Sequence, residues 1–282
     1  MSILITGATG NVSSALLAAL PDHDGVRVLV RDAARAPEIP GVEVAVGDLE
    51  RPETLEKAFD GIDTLWLLTA MGPLAPHASS NAVWAARRAG VKHVVRLSAI
   101  GAAHDAPTRN GRLHALSDAE LAASGLGWTV IKPHFFMQNL LGAVSGGTLY
   151  GMTGEGRLGF VDVRDIADFA AAVLAAPDRH HGKTYTLTGP ESISLREAAA
   201  RLEPVLGTPV AYQPVTPEQA YRSFLGFGAP DWVAAVSAKE YGPAYAAGWG
   251  DYTTTDFTDV TGRPGRAWTD FARDHADLLR GA

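Results

Sequence analysis

A glycine-containing loop near the N-terminus constrains the fold more than any other feature of the chain. Residues 6–13 (TGATGNVS) directly follow an apolar, β-branched run and precede a segment of helical period. Glycines here allow a tight turn, and the free N–H groups of the following helix attract a diphosphate. The loop therefore predicts a dinucleotide site made by Thr6, Gly7, Thr9, Gly10, Asn11 and Val12. The alternative is a tight βα turn in a protein that binds no nucleotide.

Short apolar runs alternate with Ala- and Leu-rich helical segments through the first half of the chain. The predicted strands are residues 3–6, 26–30, 42–46, 64–68, 93–97 and 128–131. The predicted helices between them are residues 12–20, 52–59, 77–89 and 112–124. This order predicts an α/β fold with a doubly wound parallel sheet of the Rossmann type, whose ligand crevice lies beyond the carboxyl ends of the strands.

The pattern loosens after Pro133 into glycine-rich loops and an aromatic-rich C-terminal third. A helix at 163–175, a strand at 184–187 and helices at 195–206 and 217–225 are predicted there. We expect residues 1–133 to form the dinucleotide-binding domain, with 156–190 returning to it. Residues 134–155 and 191–282 are expected to form a smaller, substrate-covering lobe. Aromatic side chains that line an apolar pocket in this lobe would suit a flat substrate.

Composition excludes several classes of function. The 24 Lys and Arg residues are scattered, and 31 Asp and Glu residues give a net charge of −7, which argues against a nucleic-acid binder. The chain has no cysteine, and the pair His180–His181 lacks further ligands at metal spacing, so no metal site is expected. Apolar stretches are too short to cross a bilayer. Without a signal-like segment we expect a cytoplasmic protein; its oligomeric state stays open.

Seven stretches spread over nearly the whole chain resemble one known family. They are TGATGNV, VRD, GDLERPETLEKAFDGID, VKHVVRLSAIGA, ASGLGWTVIKPHFFMQN, FVDVRDIADFAAAVL and VTGRPGRAWTDFARDHA. Together they are similar to the NmrA-like group of atypical short-chain dehydrogenases/reductases, which includes NAD(P)H-dependent quinone reductases, dye reductases and a cofactor-sensing regulator. The family's third loop glycine is Ser13 here, a side chain that could shift the first helix or place a hydroxyl near the phosphates.

The residues after the second strand favour NADP(H) over NAD(H). Arg31 follows that strand directly, and Arg35 stands one helical turn later. An arginine accommodates a 2′-phosphate where an acidic residue would hold a 2′-hydroxyl. The alternative is a solvated Arg31 whose charge Asp32 offsets. The resemblance implies three further cofactor residues: Asp48 and Leu49 at the adenine, and Thr69 at the end of the fourth strand.

The Tyr-x-x-x-Lys pair of typical short-chain dehydrogenases is missing from its usual positions. Counting back from Ser124, the family places that pair at Asn110 and His114, so the tyrosine-based mechanism is not available there. His114 with Asp118 one turn later resembles the histidine and acidic residue of the quinone-reductase branch. We expect His114 to donate a proton or to bond the cofactor ribose. A helix histidine bonded to an acid without catalytic duty is the alternative.

Two more polar side chains follow strands at the same edge of the predicted sheet. Ser98 ends the fifth strand near the family's catalytic serine, where its hydroxyl would bond a substrate oxygen or satisfy a turn. His134 stands where relatives commonly have glycine, in a loop that opens over the nicotinamide side, so we expect it to contact substrate. Lys132 and Asp162 are interpreted as structural residues.

The favoured function is an NADPH-dependent reductase of a quinone-like or other conjugated small molecule. Such acceptors are already electrophilic, so positioning against the nicotinamide supplies most of the rate without a Tyr–Lys pair. Two alternatives stay open: a non-catalytic NADP(H)-sensing regulator, and a biosynthetic enzyme that catalyses a non-redox step such as cyclisation. The aromatic lobe favours a small-molecule substrate over the sensor.

Overall fold

The structure, a computed structural model, describes residues 1–280 of the chain. The strands are β1 Ile3–Ile5, β2 Val26–Val30, β3 Glu43–Val46, β4 Thr64–Leu67, β5 His93–Leu97, β6 Gly127–Pro133, β7 Val144–Ser145, β8 Thr148–Gly151, β9 Arg157–Leu158, β10 Lys183–Leu187, β11 Ile193–Ser194 and β12 Ala211–Pro214. The helices are α1 Asn11–Ala19, α2 Glu56–Phe59, α3 Ala75–Ala89, α4 Arg109–Ala123, α5 Val163–Ala175, α6 Leu195–Ala200, α7 Glu203–Leu206, α8 Pro217–Gly226, α9 Asp231–Val236, α10 Gly242–Ala246, α11 Asp256–Thr261, α12 Trp268–Asp274 and α13 Ala276–Leu279.

Most predicted strands and helices begin and end within a few residues of the observed ones. The helix predicted over residues 195–206 is instead divided into α6 and α7. Pro204 explains the break, because its ring nitrogen cannot donate to the carbonyl of Ala200 and its ring crowds that carbonyl. The segment predicted as helix 52–59 is a 3-10 turn, Pro52–Thr54, followed by α2.

Seven strands form one sheet in the order β10-β6-β5-β4-β1-β2-β3. Strands β1 to β6 run parallel to one another, so their carboxyl ends share one edge of the sheet. The order reverses between β1 and β4, which is the switch point where doubly wound folds bind ligands. The predicted Rossmann-type sheet is therefore confirmed.

One compact unit contains residues 1–104, 110–132 and 166–185. In its core, Leu4, Leu65 and Val94 from neighbouring strands pack with Phe59 and Val83 from covering helices. These strand residues are fully enclosed because helices cover the parallel sheet. Among residues 1–280, no helix combines the length and the apolar character that a bilayer span requires.

A second compact unit contains residues 105–109, 133–165 and 186–280. It has a three-stranded sheet in the order β12-β8-β7 and a two-stranded β11-β9 pair, and its core includes Phe160, Trp268 and Phe271. Residues 166–185 belong to the first unit, whereas β9 pairs with β11 in the second unit. Residues 105–109 also belong here, where Arg109 pairs with Glu240.

Candidate active site

The glycine loop lies at the carboxyl edge of the sheet, between β1 and α1. Gly7 has a φ of +65°, and a Cβ added to it would lie 2.8 Å from Cδ2 of Leu68, so glycine is required there. Gly10 caps the nine-residue helix α1 without any side-chain cap. Thr9, Gly10 and Asn11 are exposed, whereas Val12 is buried. The first N–H groups of α1 are therefore open to an anion.

The hydroxyls of Thr6 and Ser13 point into the protein. Thr6 Oγ1 donates to the Leu68 carbonyl at 2.8 Å and accepts from the Leu68 N–H at 2.7 Å, which ties β1 to the end of β4. Ser13 Oγ donates to the Thr6 carbonyl at 2.9 Å and accepts from Trp66 Nε1 at 3.0 Å. Because both partners are internal and Ser13 is fully buried, its hydroxyl is not directed at a phosphate. Thr6 supports the loop through its side chain.

Arg31 and Arg35 lie beyond the carboxyl end of β2 and are both exposed. Neither guanidinium has a hydrogen-bond or ion-pair partner in residues 1–280. The Asp32 carboxylate accepts from the Ala34 N–H at 3.0 Å and caps the 3-10 turn Ala33–Arg35. The Asp32 carboxylate thus caps this turn and is not paired with Arg31. Both guanidinium groups are available to bind an anion.

The remaining predicted cofactor residues follow β3 and β4. Asp48 Oδ1 accepts from the Glu50 N–H at 3.0 Å, and the Leu49 carbonyl accepts from Asn81 Nδ2 at 2.7 Å, so both residues sit in a fixed turn. Thr69 is different, because its Oγ1 is buried and has no hydrogen-bond partner within residues 1–280. A buried hydroxyl without a partner normally has a ligand or water to satisfy it.

A dinucleotide fits the residues at this edge. A loop that only glycine can form, an uncapped helix N-terminus and an unsatisfied Thr69 hydroxyl lie at the carboxyl ends of neighbouring strands. Together they would hold a diphosphate by backbone N–H groups and a nucleoside by the adjoining turns.

A buried arginine organises the polar residues beside this edge. Arg96 of β5 has a fully buried side chain. Its Nε donates to Asp118 Oδ1 at 2.9 Å, its Nη1 to Ser79 Oγ at 3.2 Å and its Nη2 to His114 Nδ1 at 3.2 Å. Burial lowers the pKa of Arg96, and Asp118 opposes that shift. Neither Arg96 nor Ser79 is among the predicted site residues, although a charged residue inside the apolar run of β5 is a signal of a buried pair.

His114 and Ser98 belong to the same network. Ser98 Oγ donates to Asp118 Oδ2 at 2.8 Å, and Lys132 Nζ lies 3.6 Å from that oxygen. Because the Ser98 hydroxyl donates its proton to Asp118, it could bond a ligand only as an acceptor, through the lone pairs of Oγ. Burial, followed by the charges of Arg96 and Lys132, lowers the pKa of His114 to about 3. His114 is neutral at pH 7, and its Nε2 has no partner in the described part of the chain.

His134 lies in the second unit, where its ring is enclosed. Its Nδ1 accepts from the Phe135 N–H at 2.7 Å, and its Nε2 pairs with the Gly250 carbonyl at 3.0 Å. Tyr245 and Tyr252 pack against the ring, and burial lowers its pKa to about 4. Both ring nitrogens have partners and 2% of the residue is exposed, so the ring is enclosed within the second unit. Its contact with substrate stays a prediction.

Two residues interpreted as structural have internal partners in the structure. Lys132 Nζ donates to the Ala102 carbonyl at 2.9 Å. Asp162 is fully buried and accepts from Gln138 and Arg164. No group of three or more His, Cys, Asp or Glu side chains within residues 1–280 is arranged to hold a metal ion.

A cleft of about 450 Å³ lies at the opposite, amino-terminal edge of the sheet. Asp63, Lys92, His93 and Asp178 line it. Lys92 Nζ already pairs with Asp63 at 2.7 Å. The cleft is therefore separate from the edge at which the predicted cofactor residues lie.

Comparison with known proteins identifies an NAD(P)H-binding family. Residues 7–177 match a family model described as NAD(P)H-binding. NAD(P)H azoreductase from Xenophilus azovorans is 38% identical over 284 residues, which cover 97% of this chain and 98% of that protein.

Two solved structures share the whole fold. Triphenylmethane reductase from Citrobacter sp., complexed with NADP(H), has a TM-score of 0.84 and 26% identity and covers 100% of both chains. An NADPH-dependent quinone oxidoreductase from Escherichia coli has a TM-score of 0.85 and 25% identity, over 98% of this chain and 99% of its own.

Proposed function

Because the chain belongs to the NAD(P)H-binding, NmrA-like family of atypical short-chain dehydrogenases/reductases, we propose that it is an NADPH-dependent reductase of a quinone-like or other conjugated small molecule. The named relatives reduce azo compounds, triphenylmethane dyes or quinones. These acceptors share an electrophilic carbon or nitrogen in a conjugated system. The single observation that carries the proposal is the half-buried, neutral His114 with an unused Nε2, beside a cofactor edge that lacks a Tyr–Lys pair.

The cofactor would be held by the glycine loop, the N-terminus of α1 and the Thr69 hydroxyl, with the 2′-phosphate at Arg31 and Arg35. Both arginines are exposed and unpaired among residues 1–280. A guanidinium recognises a phosphate through several donors at once. This supports a preference for NADPH over NADH.

When bound, NADPH would supply a hydride, that is, a proton with two electrons, to the acceptor. A quinone or azo compound that has received the hydride carries negative charge on oxygen or nitrogen, and one proton from water completes the hydroquinone or hydrazine. A cationic triphenylmethane dye becomes neutral with the hydride alone and needs no proton. A neutral His114 cannot give up its remaining proton at ordinary pH, but its Nε2–H can donate a hydrogen bond to the charge as it forms. This refines the expected role of His114 from proton donor to hydrogen-bond donor.

The absence of the Tyr–Lys pair favours conjugated acceptors over simple ketones. A ketone becomes a strongly basic alkoxide and needs a proton early, whereas a reduced quinone or azo compound spreads its charge over the conjugated system. A hydrogen bond is then enough to stabilise the product anion.

Stopped-flow mixing tests the proposal. Protein loaded with NADPH is mixed with a quinone, an azo dye, a triphenylmethane dye and a simple ketone, and loss of NADPH absorbance is followed. We expect rapid oxidation by at least one conjugated acceptor and none by the ketone. If no conjugated acceptor oxidises bound NADPH, the sensor or the non-redox hypothesis replaces this one.

A further inference from the structure

We propose that Arg96 is a positioning residue that holds His114 in the neutral tautomer with its proton on Nε2. This inference rests on the proposed function for its catalytic meaning, although the tautomer can be measured without any substrate. The geometry that carries it is the 3.2 Å hydrogen bond between Arg96 Nη2 and His114 Nδ1.

The direction of this hydrogen bond is fixed by chemistry. A guanidinium has five N–H donors, no acceptor, and stays protonated in proteins. Nδ1 of His114 must therefore accept, which requires a lone pair on Nδ1 and leaves the single ring proton on Nε2. An imidazolium would point an N–H at the N–H of Arg96 and place two positive charges beside each other.

Arg96 cannot move away from His114 without losing its other partners. Its Nε is bonded to Asp118 and its Nη1 to Ser79, so three sides of the planar group are occupied. Asp118 is also bonded by Ser98 at 2.8 Å, which fixes the carboxylate. Asp118 and His114 stand one turn apart on α4, so one arginine on β5 reaches both.

With Nδ1 bonded to Arg96, Nε2 is the ring nitrogen of His114 that can donate to a ligand. Nε2 has no partner within residues 1–280, and the residue is half-buried. Arg96 would therefore keep an N–H donor ready at one position, and a substrate would not have to reorient it. A lysine at this position keeps the charge but lacks the planar set of donors that reaches Asp118, Ser79 and His114 together.

Nitrogen NMR on protein labelled with ¹⁵N-histidine tests the inference. The chain has nine histidines, and the signals of His114 are assigned by their loss in His114→Gln. We expect the parent to show an unprotonated Nδ1 and a protonated Nε2 that do not change between about pH 5 and 8. In Arg96→Lys, the two His114 signals should move toward the average of exchanging tautomers.

A matched control separates this role from general support of the fold. Ser79→Ala removes one hydrogen bond of the same guanidinium and none of His114, so the His114 signals should keep the parental pattern. In single-turnover reduction, Arg96→Lys should slow hydride transfer about tenfold or more with the NADPH dissociation constant unchanged. If Arg96→Lys does not fold, the pair Arg96→Gln/Asp118→Asn removes both charges together and takes its place.

The outcomes distinguish the inference from the proposed function. A proton on Nδ1 in the parent, or parental His114 signals in the Arg96 variants, overturns the inference and leaves the reductase proposal standing. The expected NMR pattern together with no reduction of any acceptor supports Arg96 as the residue that sets the tautomer and overturns the reductase proposal.

Discussion

The indole Nε1 of Trp66 donates a 3.0 Å hydrogen bond to Oγ of Ser13. Both side chains are fully buried. The same Ser13 hydroxyl donates a hydrogen bond to the Thr6 carbonyl at 2.9 Å. Ser13 stands at the third glycine position of the loop, and its hydroxyl is the hydrogen-bond acceptor for the indole N–H of Trp66 on β4. The serine hydroxyl lies in the interior of the loop, on the side away from the exposed residues Thr9, Gly10 and Asn11.

Ser13→Gly should destabilise the protein. The change leaves a buried indole N–H without an acceptor, which costs about 1–3 kcal/mol of the free energy of unfolding. NADPH affinity should stay within about twofold because the hydroxyl does not face the ligand. Urea unfolding and calorimetric titration measure the two effects. In a double-mutant cycle, Ser13→Gly should cost less in a Trp66→Phe background; an equal cost would show that the bond contributes nothing.

Arg31→Ala should reduce NADPH affinity and spare NADH affinity. A charge-assisted contact to the 2′-phosphate contributes roughly 1.5–3 kcal/mol, about tenfold to a hundredfold in the dissociation constant. Arg87→Ala, an exposed arginine in the last turn of α3, makes the same change in net charge and should leave the preference intact. Calorimetric titration of each protein with NADPH and with NADH measures the dissociation constants that test this. Equal affinities for NADPH and NADH in the parent would contradict the assignment.

Gly10→Val should abolish cofactor binding while the protein stays folded. The backbone of Gly10 has φ −92° and ψ 160°, a conformation that valine adopts, and a Cβ there would meet only the Gly7 carbonyl at 3.3 Å. The added side chain would instead fill the space needed by the phosphates. Gly226→Ala adds a methyl group where nothing lies within 4 Å and serves as control. Unchanged affinity in folded Gly10→Val would place the nucleotide elsewhere.

The parallel sheet could be predicted because each strand is a continuous apolar run between turn residues, a local pattern. The Arg96–Asp118 pair could not, because it joins residues 22 apart in sequence and depends on how α4 packs on β5. For the same reason the sequence did not reveal that His134 is enclosed: its partner Gly250 is 116 residues away. Single residues at strand ends could be placed at the site, but their hydrogen-bond partners required the tertiary structure.

His114→Ala should slow hydride transfer to a conjugated acceptor by about 10²-fold, the usual loss for one hydrogen-bond donor to a developing anion. NADPH affinity should change little. Leu116→Ala alters an exposed side chain on the same helix and should keep the parental rate. Single-turnover stopped flow measures all three proteins. A parental rate in His114→Ala would remove this residue from the mechanism.

The hydride-transfer rate of the parent should be independent of pH between about 5 and 8. The pKa of His114 is lowered to about 3, so the side chain stays neutral throughout this range and no catalytic group changes charge. Single-turnover rates in a series of buffers at constant ionic strength test this. A rate that rises or falls tenfold per pH unit near pH 6.5 would show that His114 titrates and acts as an acid or base.

Stability should fall as the pH is lowered from about 6.5 to 4. Burial, assisted by His181 at His93 and by Arg96 and Lys132 at His114, lowers the pKa of His93 and His134 to about 4 and the pKa of His114 to about 3. An unfolded histidine has a pKa of about 6.5. Between these values the unfolded chain binds protons that the native protein does not, so the free energy of unfolding decreases by about 1.4 kcal/mol per pH unit for each such histidine. Above about pH 6.5 this contribution is complete. The part from His93 and His134 levels off below about pH 4, and the part from His114 levels off below about pH 3.

His93→Gln tests this acid sensitivity, because glutamine retains a donor for the Thr129 Oγ1 that His93 Nε2 contacts at 2.9 Å. Urea unfolding is measured at several pH values between 4 and 7. The slope of the free energy of unfolding against pH should decrease by about 1.4 kcal/mol per unit relative to the parent. His104→Gln, at an exposed position, should leave the slope unchanged. If His93→Gln keeps the parental slope, His93 takes up protons equally in the native and unfolded states, and its burial does not control the acid response.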